Sequence, residues 1–149
     1  MGTAVMTDRP TFRWKPVAGA SRYVVAIFDE NFNQVAASPA ITAAEWQLDQ
    51  PLPRGRVYNW QVSATVGGKT VHSPVPPAPE ARFQVAPPEA VAQIESARRE
   101  HPANHLLLAA LYARAGALDD AAAELDGLAA TDPATAGTLR DRLNGMRQR

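Results

Sequence analysis

The chain has 149 residues and a mass of 16.0 kDa, and its 15 basic residues balance its 15 acidic residues. This neutrality argues against binding of nucleic acid or anionic membrane through bulk charge. The absence of cysteine excludes disulfides, thiolate metal sites and cysteine nucleophiles. With 46% hydrophobic and 20% charged residues, the composition is that of a folded protein.

Aromatic residues divide the chain into two unlike halves. All tryptophans and phenylalanines precede residue 87, and the only aromatic residue after it is Tyr112. The later half is rich in Ala, Leu, Arg and Glu, which favour helix, whereas β-branched and aromatic residues favour strands. Prolines mark the join, at Pro87-Pro88 and throughout an expected irregular crossing at 74–80. We therefore predict two small domains, an all-β domain at 1–86 and an all-α domain at 87–149.

Net charge also differs between the halves. Residues 1–86 hold 8 basic and 6 acidic residues, and residues 87–149 hold 7 and 9, so charges of +2 and −2 cancel. Opposite charges on two domains favour a complementary interface. We expect the two domains to face each other.

Alternating apolar residues predict several short strands in the first half. The clearest covers 58–66, where Tyr58, Trp60, Val62 and Ala64 share one side. The Gly67-Gly68 pair then suits a two-residue hairpin turn to a strand at 69–72. Further strands are expected at 11–14, 23–28, 34–37, 45–48 and 82–85. Short strands at this spacing predict a sandwich or small barrel.

One segment carries a more specific signal. Leu52-x-x-Gly55-x-x-Tyr58 resembles the tyrosine-corner segment of fibronectin type III domains, with Trp14 and Tyr23 as the tryptophan and tyrosine of its second and third strands. The resemblance covers residues 8–86 and implies an immunoglobulin-like β-sandwich. The prolines at 74–79 depart from the family pattern, because they interrupt the final strand.

The tryptophans have two interpretations. Trp60 alternates in phase with Val62 and Ala64, and Trp46 with Leu48, which places both in the core. Exposed tryptophans would instead form a stacking platform for sugar rings. The second interpretation would make the first half a carbohydrate-binding sandwich with a helical spacer.

Four helices are expected in the second half. The first covers 88–100, with Val91 and Ile94 on one face, and Pro102 is placed at the start of the second. Gly116 ends the second helix, and Asp119-Asp120 occupies the first turn of the third. Asp132-Pro133 is typical of an N-cap followed by the first helical position. The fourth helix carries an apolar stripe, consisting of Leu139, Leu143 and Met146.

The middle helices resemble one tetratricopeptide repeat. The small, aromatic and glycine positions of the 34-residue pattern fall, in order, on Leu108, Ala109, Tyr112, Gly116, Ala121, Leu125 and Leu128, and the closing proline is Pro133. The exception is the early tryptophan position, which His105 occupies. The repeat covers residues 102–133, and 88–100 and 134–147 supply flanking helices.

The resemblance to this family implies where a partner would bind. Its ligands lie along the inner face of the first helix of each pair, which here includes Ala103, Leu106, Ala110 and Ala113, with Asn104 and Arg114 near its edges. The lysine and asparagine positions that clamp a peptide carboxylate hold Leu106 and Ala110. The candidate partner-binding residues are Asn104, Leu106, Ala110 and Arg114. Alternatively, the flanking helix covers this face.

No residue pattern indicates catalysis, a metal or a cofactor. His101 and His105 are four residues apart, but Pro102 separates them and no HExxH sequence is present. Asp29 and Glu30 would point to opposite faces of a strand. The sequence also lacks a phosphate-binding glycine loop and a GxSxG elbow. We expect no enzyme activity.

The two resemblances together favour a protein-interaction or scaffolding module that binds a protein or peptide, but no nucleic acid. No apolar run approaches the ~20 residues that span a bilayer, so no direct membrane insertion is expected. The domain pairing resembles extracytoplasmic parts of bacterial membrane-anchored proteins, including some related to anti-sigma factors and envelope regulators, and implies that the chain is a fragment of one. The alternatives are the carbohydrate-binding sandwich and an accessory domain of an enzyme.

Overall fold

A computed structural model describes residues 3–74 and 81–148 of the chain. In these ranges a β-sheet region is followed by a helical region, which confirms the predicted order of a β part and an α part. The strands are β1 (Thr3–Val5), β2 (Thr11–Arg13), β3 (Ala20–Phe28), β4 (Gln34–Ala37), β5 (Glu45–Gln47), β6 (Val57–Val66), β7 (Lys69–Ser73) and β8 (Ala81–Val85). The helices are α1 (Pro88–Glu100), α2 (His105–Arg114), α3 (Leu118–Ala129) and α4 (Pro133–Arg147). Most of the crossing expected at 74–80 lies outside the described residues.

The described strands form two sheets. The larger has the order β1-β8-β6-β3-β4, with β7 also paired to β6, and the smaller pairs β2 with β5. β6 runs antiparallel to β3, with Val25 opposite Val62 and Tyr23 opposite Ala64. The four inward side chains of these pairs are buried, so the predicted alternation sets this register.

Aromatic rings fill the space between the two sheets. The Phe12 ring on β2 lies 6.0 Å from the Trp46 ring on β5, 5.2 Å from the Trp60 ring on β6 and 5.4 Å from the Phe83 ring on β8. Phe12, Phe83 and Tyr58 are buried, and the tryptophans are half-buried. Residues of both sheets therefore share one aromatic core.

The described residues form two compact units. The β unit contains residues 7–53, 57–74 and 81–83, and the helical unit contains 3–6, 54–56 and 84–148. The first two segments of the helical unit fall within residues 1–86, the range predicted for the β domain. Backbone hydrogen bonds explain their place, because Ala4 N–H donates to the Gly116 carbonyl (3.0 Å) and Ala86 N–H donates to the Val5 carbonyl (2.9 Å).

Local chemistry fixes the helix ends. α1 covers the predicted residues, and the Asp132 side chain caps α4 by accepting from the Thr135 N–H. The predicted start of α2 at Pro102 is wrong, because α2 begins at His105 and the Asn104 side chain caps it by accepting from the Leu107 N–H. Gly116 follows α2 with φ +79°, which favours glycine.

A single apolar cluster joins the helices of the helical unit. Ala109 and Ala121 are 5% and 1% exposed where α2 meets α3, and their small side chains allow the two helices to approach closely. Met6 from the segment that follows β1 packs against the same cluster. The larger buried members are Ile94, Leu108, Tyr112, Leu118, Leu125 and Leu143.

Candidate functional site

An apolar groove lies between α2 and α4 on the helical unit, and we call it the α2–α4 groove. Its volume is about 210 Å³. Ala121 and Leu125 of α3, which are almost fully buried, form its floor. The remaining lining residues are Leu106, Ala109, Ala110 and Ala113 of α2 and Leu139, Arg142, Leu143 and Met146 of α4. Arg142 is the one charged residue among them.

The rims of the α2–α4 groove expose large apolar side chains. Leu106 on α2 is 46% exposed and Met146 on α4 is 48% exposed. Ala110, one turn after Leu106, is also exposed. Among the described residues, α4 therefore forms the second wall of the groove, and it leaves Leu106 and Ala110 on the inner face of α2 exposed. Such exposed apolar surface with a polar neighbour is typical of an interaction site.

The four residues selected from the sequence fall at three different places. Leu106 and Ala110 line the α2–α4 groove. The side chain of Asn104 caps α2 and is thereby engaged with the backbone. Arg114 lines a separate, more polar cavity of about 340 Å³ beside α1, together with Glu89. The structure thus brings together two of the four.

The groove residues on α4 were not selected from the sequence as site residues. Leu139, Leu143 and Met146 follow helical spacing, which predicts only that the three form one apolar stripe of α4. Leu143 is buried, Leu139 is half-buried and Met146 is exposed. The helical period identifies which residues of α4 share the apolar face. It does not predict which of them are buried in the core and which line a groove.

A charged network joins α1 to α2 and α3. The carboxylate of Glu124 on α3, which is 9% exposed, accepts from Arg98 Nη2 (2.6 Å) and is bonded to His105 Nδ1 (2.9 Å). Arg98 also donates to the Tyr112 hydroxyl (2.8 Å). The Tyr112 hydroxyl and, to a lesser extent, the Glu124 carboxylate raise the pKa of Arg98. This network makes a fixed support for the first helix of the groove.

Ion pairs hold α4 against α3 and so set the second wall of the groove. Arg147 Nη2 donates to the Asp119 carboxylate (2.6 Å) and to the Leu118 carbonyl (3.2 Å), and Arg140 pairs with Asp126. Burial raises the pKa of the neighbouring Asp120 carboxyl, and the adjacent Asp119 adds to the effect. Arg142, by contrast, makes no ion pair within the described ranges and remains exposed at the groove.

One hydrogen-bonded pair elsewhere has the residue types of a nucleophile and its base. Ser63 Oγ and His72 Nδ1 lie 2.8 Å apart on the directly opposed strands β6 and β7. Among the described residues no carboxylate is bonded to His72, and the pair lies outside each of the cavities described above. The pair acts as a cross-strand contact, which stabilises the hairpin.

Residues 3–74 and 81–148 contain no group of three or more His, Asp or Glu side chains that could hold a metal ion. None of the described helices has the length and apolar character needed to cross a bilayer.

No protein-family model matches the chain, and no curated protein matches it significantly.

Proposed function

We propose that this chain is a non-catalytic protein-interaction or scaffolding module of a larger bacterial envelope protein. In this proposal a fibronectin type III-like sandwich is followed by a tetratricopeptide-like helical unit. The α2–α4 groove binds a segment of a protein partner. The observation that carries the proposal is the groove itself, since it presents exposed Leu106 and Met146 above an apolar floor.

Three contacts support the fibronectin type III-like part. The Tyr58 hydroxyl at the start of β6 donates to the Pro53 carbonyl at 2.9 Å, which is the hydrogen bond expected of a tyrosine corner. The Trp14 and Tyr23 rings meet edge to face at 5.5 Å. In the third contact the Tyr58 ring stacks on the Phe83 ring, with 5.6 Å between the ring centroids, so the tyrosine of the corner packs in the aromatic core.

Packing between α2 and α3 supports the tetratricopeptide-like part. The small residues Ala109 and Ala121 are buried at the helix crossing, and Tyr112 is 8% exposed behind them. His105, at the position where the repeat pattern has tryptophan, packs on the backbone of Gly127 and bonds to Glu124. The histidine at this position therefore both packs against α3 and makes a hydrogen bond to it.

The groove chemistry defines the segment that would bind. The walls of the groove are two helices whose apolar residues recur once per turn, so a segment that places apolar side chains between the two helices suits it. Arg142 is exposed at the wall, and a carboxylate on the partner would pair with it. We therefore propose an amphipathic partner segment with an acidic residue beside its apolar stripe.

The carbohydrate-binding alternative requires at least one tryptophan that is open to solvent. Each tryptophan is half-buried, and Trp46 and Trp60 contact the core residue Phe12. These contacts favour a core role for both. The same observation makes the protein-interaction proposal preferable to the sugar-binding one.

A comparison of two matched variants tests the proposal. The wild-type chain, Leu106→Asp and Val71→Asp are each immobilised and incubated with bacterial envelope extract, and the bound proteins are quantified by mass spectrometry. Leu106 and Val71 are almost equally exposed, at 46% and 47%, but only Leu106 lines the groove. If both variants lose the same bound protein, the loss is therefore caused by the added charge and not by a change in the groove.

Proteins retained by wild type and by Val71→Asp but lost with Leu106→Asp are groove ligands, and their affinity is then measured with purified components. We expect a loss of at least about 30-fold for Leu106→Asp, because a charge placed in an apolar contact removes a hot spot. Retention of the same proteins by all three chains, or of none by the wild type, would contradict the proposal.

A further inference from the structure

A turn in the β unit presents an aromatic side chain to solvent. Phe32 lies between β3 and β4 and is 60% exposed, the largest exposure of any large hydrophobic residue in the described ranges. Nearby Val35 on the edge strand β4 is 47% exposed. Burying such a side chain against a partner is favourable, and aromatic residues are enriched in the cores of interfaces.

Hydrogen bonds hold this turn in one conformation. Asp29 Oδ1 accepts from the backbone N–H groups of Asn31 (2.8 Å) and Asn33 (2.9 Å), and Asp29 Oδ2 accepts from Asn33 Nδ2 (3.1 Å). The Phe32 N–H donates to the Asp29 carbonyl at 3.0 Å. These bonds retain Phe32 at φ +60°, which a bulky residue adopts only at an energetic cost. The backbone that carries the Phe32 ring is therefore preorganised for contact.

The negative charge of Glu30 beside this turn is complementary to the positive charge of Arg142 at the α2–α4 groove. Glu30, two residues before Phe32, is exposed and forms no ion pair within the described part of the chain. The α2–α4 groove has the complementary features, an apolar interior and the exposed cation Arg142. Its volume of about 210 Å³ is enough for a phenyl ring, since apolar cavities of about 150 Å³ bind benzene.

We propose that the Phe32 turn of one copy of this chain docks in the α2–α4 groove of a second copy. The proposal rests on the groove being the interaction site proposed above. Phe32 occupies the groove between Leu106 and Met146, and Glu30 pairs with Arg142. Because the two surfaces are different, the contact is heterologous and adds copies head to tail. The contact is small, so association is expected only at high protein concentration.

The test is sedimentation velocity over a range of concentrations up to about 500 µM, a range suited to weak association. The weight-average mass of the wild-type chain should rise above 16.0 kDa with concentration. Phe32→Ser should weaken association by at least about 30-fold, as expected for truncation of an interfacial hot spot. Val71→Ser, which removes a similarly exposed apolar side chain from the same unit, should leave it unchanged.

A charge-reversal pair makes the assignment specific. Glu30→Arg alone and Arg142→Glu alone place like charges at the contact, so each variant should be monomeric. In an equimolar mixture every turn finds a groove of opposite charge, and association should return. A wild-type chain that stays monomeric, a Phe32→Ser chain that still associates, or a mixture that does not recover would each overturn the proposal. A monomeric chain that still captures a Leu106-dependent partner would overturn only this inference and leave the proposed function intact.

Discussion

Replacement of Gly127 by alanine should destabilise the helical unit, although the same change in most helices is stabilising. Gly127 lies within α3, where alanine is favoured over glycine by up to about 1 kcal/mol. Here, however, an alanine Cβ would lie 2.7 Å from both Cε1 and Nδ1 of His105 and 3.0 Å from its Cγ. These atoms belong to the rigid imidazole ring, so the whole ring has to move.

Moving the ring removes a hydrogen bond from a buried carboxylate. His105 Nδ1 lies 2.9 Å from Glu124 Oε2, and Glu124 is 9% exposed. A hydrogen bond to a charged group contributes about 1.5–3 kcal/mol. After the helix-propensity gain of about 1 kcal/mol is subtracted, the expected net loss for Gly127→Ala is about 0.5–2 kcal/mol. Arg98 still bonds to the carboxylate, so the helical unit should remain folded.

Urea unfolding followed by circular dichroism at 222 nm measures this loss. Gly137→Ala in α4 is the matched control, because beyond its chain neighbours and the backbone of its own helix no atom lies within 4 Å of the added Cβ, and it should stabilise by about 0.5–1 kcal/mol. In the His105→Ala background, Gly127→Ala should no longer be destabilising, since the clashing ring is absent. A Gly127→Ala chain as stable as wild type would refute the packing argument.

Three further substitutions each remove the hydrogen bonds of one side chain and should lower the free energy of unfolding. Tyr58→Phe removes the donor to the Pro53 carbonyl and should lower the free energy of unfolding by about 1 kcal/mol, measured with urea and tryptophan fluorescence. Asn104→Ala removes the α2 cap and should cost about 1 kcal/mol at any pH, since the amide does not titrate; a pH-dependent cost in urea unfolding would refute this. The Thr135 hydrogen bonds lower the pKa of Asp132, so its contribution is present above the unfolded-state pKa and is lost as pH falls through the folded-state pKa. Asp132→Ala should therefore destabilise near pH 7, and this loss should shrink as the pH falls through the folded-state pKa, as measured by thermal unfolding.

Local sequence patterns predicted much of the secondary structure. Alternation predicted the strands at 23–28 and 58–66, because successive side chains point to opposite faces of a sheet, and the structure has β3 and β6 there. Prolines and an aspartate predicted where α1 and α4 begin, because these residues act on the first helical turn itself. The start of α2 was missed because Asn104 and Pro102 both carry a helix-start signal, and the cap formed at Asn104.

The candidate site was predicted only in part. Leu106 and Ala110 followed from the repeat pattern, whereas the opposite wall with Arg142 and Met146 depends on how α4 packs on α3. The charged network also joins three helices, since Arg98, His105 and Glu124 come from α1, α2 and α3. No periodicity within one helix encodes these pairings.

By itself, the sequence determined a neutral, cysteine-free chain with a β part followed by four helices, because composition, alternation and capping act over a few residues. Tertiary structure decided which apolar residues remain exposed. Met146 belongs to the same stripe as buried Leu143, but it extends past the helix contact and lines a groove. Tertiary structure also placed residues 3–6 in the helical unit, through the hydrogen bond from Ala4 to Gly116. Burial depends on contacts between residues distant in the chain, and those contacts exist only after the elements have packed.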